Sequence, residues 1–217
     1  MTEKTSQRAR RFFLTRMGTG MTILGATAAA GVASAMPQSA ERSWQPERHT
    51  QDDWLDQIPG KHRLVFDTTG TDGLGSALTY ATNYYSANSS SYGLQNNDLA
   101  VVVIVRHFST PFAYNDSIWM KYGVPISNFV ARGKEPSTRN TNIRQLTTLT
   151  GRGMHLAVCQ LATRALSGQI ATAMNANQDE IYNEIAANLL PNSHLVPAGI
   201  VAVNRAQERG YTLVHGG

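Results

Sequence analysis

The chain is 217 residues long, with a formal net charge of +4, 16% charged residues and a single cysteine. The positive excess lies wholly in residues 1–35, where Lys4, Arg8, Arg10, Arg11 and Arg16 face only Glu3, which leaves 14 basic and 14 acidic side chains in the rest. A neutral body argues against a phosphate-neutralising surface, so nucleic acid is not expected as a partner, and one thiol excludes both an internal disulfide and a thiolate-held cluster.

In chain order, the first element is a leader. Arg10-Arg11-Phe12-Phe13-Leu14 is followed by the mildly apolar run Met21–Ala30 and the small-x-small site Ala33-Ser34-Ala35. This resembles a twin-arginine (Tat) signal peptide over residues 1–35. The resemblance implies engagement of the Tat translocon, cleavage near Ala35 and a periplasmic location. Gly, Thr and Ala dominate the run, which falls short of the roughly 20 strongly apolar residues of a membrane span, so no stable membrane anchor is expected.

Residues 36–60 read as a polar linker ending in a docked segment, with Trp44 and Trp54 as its anchors. The domain itself is expected over 61–217. His62–Asp67 forms a short strand, and Leu74, Leu78, Ala81, Tyr84 and Tyr85 recur at helical spacing, giving a helix over about 72–87 capped by Thr71 or Asp72. The Asn/Ser-rich stretch 88–93 reads as a loop. Leu99–Val105 is apolar without alternation, the pattern of a central strand buried on both faces. About 108–153 reads as an insertion with two short helices, near 114–122 and 141–149, lying either as a lid over the sheet edge or as a surface excursion. His155–Cys159 is the third strand, followed by two helical faces (Leu161 to Ala171 and Ile181 to Leu189). A brief strand at 194–198, a helix ended by Gly210 and a last strand at 211–215 complete the chain. Strands separated by helices predict an α/β fold, a parallel sheet with helices on both faces.

In such a sheet Asp67-Thr68, Arg106-His107, Cys159-Gln160 and Pro197-Ala198 all arrive at the carboxyl edge, where ligands bind. Cys159 is the candidate catalytic residue, since a thiol at a helix N-terminus is favoured as thiolate. His107 is its candidate proton acceptor or cationic neighbour. Asp67, Thr68, Arg106 and Gln160 are candidate substrate-binding groups; Asp67 could orient His107 or simply cap the turn. The competing reading is a buried, inert cysteine. His62, His155 and His194 fall at strand starts, the opposite edge, and read as structural or surface residues. Neither a metal ligand set nor a nucleotide-binding motif is present, so no metal or cofactor is expected.

Val158-Cys159-Gln160-Leu161-Ala162-Thr163-Arg164, Leu195-Val196-Pro197-Ala198-Gly199-Ile200 and Gln207-Glu208-Arg209-Gly210-Tyr211, together with Val105-Arg106-His107, resemble motifs of the DsrE/DsrF-like family. The resemblance spans roughly His62 to His215. It implies a three-layer α/β/α sandwich with a five-stranded, mostly parallel sheet, assembled as a homo-oligomer. It also implies a sulfur carrier whose cysteine, here Cys159, accepts sulfane sulfur as a persulfide from a small sulfur compound or a sulfur-donor protein. The alternative on the same fold is a non-catalytic small-ligand-binding or assembly module.

Overall fold

The computed structural model describes residues 44–131 and 137–216; the signal residues Arg10, Arg11 and Ala35 lie outside them. Five strands, β1 (His62–Thr68), β2 (Leu99–Val105), β3 (His155–Cys159), β4 (Ser193–Val196) and β5 (Thr212–His215), form one sheet in the order β4-β3-β2-β1-β5. Every pairing is parallel. The fold is the α/β sandwich that the alternation of strands and helices predicts.

Seven helices accompany the sheet among the described residues: α1 (Trp54–Gln57), α2 (Thr71–Tyr92), α3 (Asp116–Ala131), α4 (Ile143–Gly151), α5 (Gln160–Met174), α6 (Gln178–Ala186) and α7 (Gly199–Gln207). The chain steps from β1 to β4 in one direction, and α2 to α6 all pack on one face. The return from β4 to β5 runs the other way, so a right-handed crossover must put α7 on the opposite face. Residues of β2 divide accordingly: Val101, Val103 and Val105 join the core under α2 to α6, while Ala100, Val102 and Ile104 join the core under α7. A strand with both faces covered has no position for a polar side chain.

Helix α7 alone cannot cover its face, and the segment before β1 fills the remainder. Leu55 and Ile58 enter the second core. Leu55 O accepts from Tyr211 Oη at 2.7 Å and from Arg63 Nη1 at 3.0 Å, and the buried Arg209 bonds Asp56 at 3.1 Å. Trp54 stacks on His194 with ring centroids 4.0 Å apart. Trp44, the other expected anchor, is exposed.

Three sequence expectations are corrected. Helix α2 continues through the Asn/Ser-rich stretch to Tyr92 and ends at Gly93, whose φ of 67° supplies the left-handed C-cap. Asn88 and Ser90 bond back to the carbonyls of Tyr84 and Ala87, so these side chains follow the helix instead of ending it. The N-cap is Gly70, with no side-chain cap from Thr71 or Asp72.

The third correction concerns the insertion, which is neither lid nor excursion. Its 3-10 turn (His107–Ala113), α3 and α4 supply Phe112, Trp119, Tyr122, Ile126, Leu146 and Leu149 to the larger core. Helix α3 is kinked at Tyr122, where φ is −118°, because Pro125 cannot donate to the preceding turn.

His155 Nδ1 lies 2.9 Å from His194 Nε2 beneath Trp54. Burial, then the neighbouring His155, pushes His194 down to about 4, and burial lowers His155 as well. Both rings are therefore neutral in the folded protein near pH 7. Below the ordinary histidine value of 6.5 the unfolded chain binds more protons, so stability falls as pH drops from about 6.5 towards 4. Because the rings are only partly buried and water screens them, the expected loss across that window is about 1–2 kcal/mol. Urea unfolding of the wild type and of His194→Phe should show a smaller component in the variant, where only His155 remains to be protonated.

Candidate functional site

At the carboxyl edge, β3 leads into α5 on one face and β4 leads into α7 on the other. Adjacent strands whose connections part to opposite faces leave a crevice between them, the usual ligand position in an open α/β sheet. Here the crevice is a pocket of about 320 Å³. Cys159 lies in it with Leu161, Ala162 and Ala165 of α5; Ala198, Gly199 and Ile200 line the α7 side, and Arg106 and His107 complete it from the end of β2.

Cys159 is the last residue of β3 and the N-cap of α5. It is only 6% exposed, yet it forms part of the pocket wall, so the thiol is sheltered and still faces a cavity. A buried chain holds it from below: Tyr114 Oη bonds Thr163 Oγ1 at 3.0 Å, and Thr163 Oγ1 donates to Cys159 O at 3.0 Å. Burial raises the Tyr114 phenol far above its ordinary value, against a smaller lowering by the Thr163 hydrogen bond and with minor help from Cys159 and Tyr182, so it stays neutral. The insertion thus supports the cysteine through Tyr114. Neither the N-cap of α5 nor that of α7, Ala198, makes a side-chain capping bond.

Arg106 is fixed as a fork. Its Nε and Nη2 donate to Asp67 Oδ1 and Oδ2 at 2.7 and 2.8 Å. The hydrogen bond to Asp67, opposed by burial and aided by the charges of Asp67 and Cys159, holds the guanidinium above its ordinary value. The arginine stem lies across Gly199, where an added Cβ would stand 2.6 Å from Arg106 Cβ. The α7 N-terminus can approach this closely only as glycine. Ser109 Oγ accepts the Arg106 N–H at 3.0 Å and bonds the Thr68 carbonyl at 2.9 Å, tying the ends of β1 and β2 together. The next residue, His107, has φ of 52°, a left-handed conformation that non-glycine residues adopt at a cost.

Of the sequence candidates, Cys159, Arg106 and His107 come together in the pocket, and Asp67, Thr68 and Gln160 do not line it. Asp67 orients Arg106 rather than His107, and lies 3.6 Å from His215 Nδ1. Thr68 Oγ1 bonds Ile104 O and Ser109 Oγ, and Gln160 Nε2 donates to Tyr182 Oη. Two residues of the site are not singled out by the sequence pattern, Ser109 and His215, and a third, Gly199, falls in the Leu195–Ile200 motif without its contact to Arg106 being foreseen. His215 ends β5, so the parallel-sheet argument that placed Asp67 at this edge places it there too. Ser109 carries no such signal, and the role of Gly199, like that of Ser109, depends on contacts between distant segments. Among the described residues, no group of three or more His, Cys, Asp or Glu side chains is arranged to hold a metal ion.

No family model and no curated protein matches the chain. Among solved structures it is similar to MTH1491 of Methanobacterium thermoautotrophicum, a protein of unknown function, at 16% sequence identity and a TM-score of 0.41. That similarity covers 71% of this chain and 99% of the other.

Proposed function

We propose that this chain is an exported, DsrE-like sulfur carrier in which Cys159 accepts sulfane sulfur as a persulfide, with Arg10 and Arg11 directing it through the Tat route to the periplasm. The observation that carries the reading is the placement of the only cysteine in the switch-point crevice beside Arg106 and His107. A carrier needs a thiol that reacts with small donors yet is shielded from other oxidants. A 6% exposed cysteine that faces a cavity suits both needs.

The chemistry balances without a redox partner. The Cys159 thiolate attacks the terminal sulfur of a donor R–S–S⁻, the donor's S–S bond breaks, and R–S⁻ leaves with the electron pair. The product is Cys159–S–S⁻, with one S–S bond formed and one lost once protons are shared with solvent. His107 acts as acceptor for the thiol proton before attack. Delivery onward reverses the step.

The test is intact-mass analysis after incubation with a persulfide donor. The expected result is wild-type protein heavier by one sulfur atom, reverting on reduction, with Cys159→Ser unchanged. An unmodified wild type would overturn the carrier reading and leave a ligand-binding module on the same crevice.

A further inference from the structure

The pocket that holds Cys159 is built asymmetrically. Leu161, Ala162 and Ala165 on one side and Ala198 and Ile200 on the other give apolar walls, and the polar groups belong to Arg106 and His107. Arg106 is already bonded twice: Nε and Nη2 are occupied by Asp67, and Nη1 makes no hydrogen bond among the described residues. A guanidinium pinned on one edge by a carboxylate cannot swing to follow a ligand. Its remaining nitrogen is therefore a fixed donor with little orientational freedom left to lose. The stem is locked from beneath as well, because it rests on the bare backbone of Gly199.

Asp67 offsets much of the net charge, so attraction at long range is weak and recognition depends on a directional, charge-assisted hydrogen bond at contact. The apolar walls offer no competing hydrogen-bond partner to a ligand bound there. The leading N–H groups of α5 and α7, helices of 15 and 9 residues, begin at the same crevice and have no side-chain caps. They add partial positive charge on the side facing Arg106. Every polar feature of this pocket other than the thiol and His107 thus favours an anion, and the space beside it is apolar.

We propose that the sulfur donor is a small sulfur oxyanion, thiosulfate or an organic thiosulfonate, whose oxygens sit on Nη1 of Arg106 while its sulfane sulfur reaches Cys159. The inference rests on the carrier reading and specifies its substrate class. For a thiosulfonate, the Cys159 thiolate attacks the outer sulfur of R–SO₂–S⁻, the S–S bond breaks, and the sulfinate R–SO₂⁻ departs with the electron pair. For thiosulfate the leaving group is sulfite. In both cases charge grows on the leaving oxyanion, where the Arg106 donor stands, so the contact strengthens as the bond breaks. Arg106 is then a substrate-recognition residue, and Asp67 and Gly199 are positioning residues that act through it.

The experiment compares alkylation of Cys159 in the full chain by anionic iodoacetate and neutral iodoacetamide, at about pH 8 where imidazoles are neutral. Taking the ratio of the two rates cancels any difference in thiolate content. The iodoacetate-to-iodoacetamide ratio of the folded wild type should exceed that of the same chain in urea by about tenfold, the effect of one charge-assisted hydrogen bond. Arg106→Gln should return the ratio to the unfolded value and Arg106→Lys should restore part of it. A folded wild-type ratio at or below the unfolded one overturns the proposal even if Arg106→Gln fails to fold. A folded Arg106→Gln protein that keeps the wild-type ratio overturns it too. Loading from thiosulfate and from benzenethiosulfonate then distinguishes the two sources, the apolar walls favouring the second. A preserved iodoacetate preference without persulfide formation from any donor would reject the carrier reading and keep the anion site. Loading from a persulfide donor without the preference would do the reverse.

Discussion

Trp119→Ala is expected to destabilise the protein by about 4 kcal/mol, the range for emptying a fully buried aromatic site. Trp119 is 1% exposed, its ring meets Phe112 with centroids 5.5 Å apart, and its Nε1 donates to Pro111 O at 2.9 Å. Truncation leaves a cavity and removes one of two donors from Pro111 O, which keeps the Tyr114 N–H at 3.0 Å, so the cavity dominates the cost. A lid over the carboxyl edge would behave differently, since shortening one of its side chains changes access to the pocket and leaves stability nearly untouched. Urea unfolding separates the cases. Met120, the next residue, is 66% exposed, so Met120→Ala should stay within about 0.5 kcal/mol of wild type. A loss below about 1 kcal/mol in Trp119→Ala would remove the segment from the core.

Asp67→Ala should cost about 3 kcal/mol, because it strands the Arg106 guanidinium in a largely buried position without its two charge-assisted bonds. The side chains are 9% and 18% exposed, so water recovers only part of the lost solvation. Adding Arg106→Met to Asp67→Ala should restore more than half of the loss, since a buried pair replaced by apolar groups is far less costly than a pair broken on one side. Asp67→Ala alone should also erase the iodoacetate preference at Cys159, because the arginine then has nothing to fix its remaining donor. If the double variant were no more stable than the single one, Asp67 would act through another neighbour, and His215 at 3.6 Å is the first to test.

The stability effects divide along the same line as the site. Trp119 and Tyr114 belong to the segment between β2 and β3 and to the larger core, and Tyr114 also supports Cys159 through Thr163. Asp67, Ser109 and Gly199 bear on Arg106 from the side. The pocket is therefore preorganised by residues that do not line it, apart from Gly199.

By itself, the sequence determined the local elements whose signal is periodic and contained within a few residues. The unbroken apolar run Leu99–Val105 could only be a central strand, and it is buried along its whole length. Cys159 sits at the strand-to-helix junction that its neighbours specify, and the final helix ends near Gly210, whose φ is 79°. Side-chain spacing fixes such features because i to i+2 and i to i+4 neighbours are set by the backbone. Tertiary structure alone decided what those elements meet. Asn88 to Tyr92 stay helical although their composition favours a loop, because propensity is a weak prior against a helix already packed on the sheet. The segment after His107 became core because its apolar side chains found the face under α2 and α5. Asp67 took Arg106 as its partner across 39 positions, and Gly199 admitted the arginine stem, because β4 pairs beside β3 and brings the α7 N-terminus over the end of β2. Strand order is a choice among long-range pairings that leave the same local pattern, so no window of the sequence contains it.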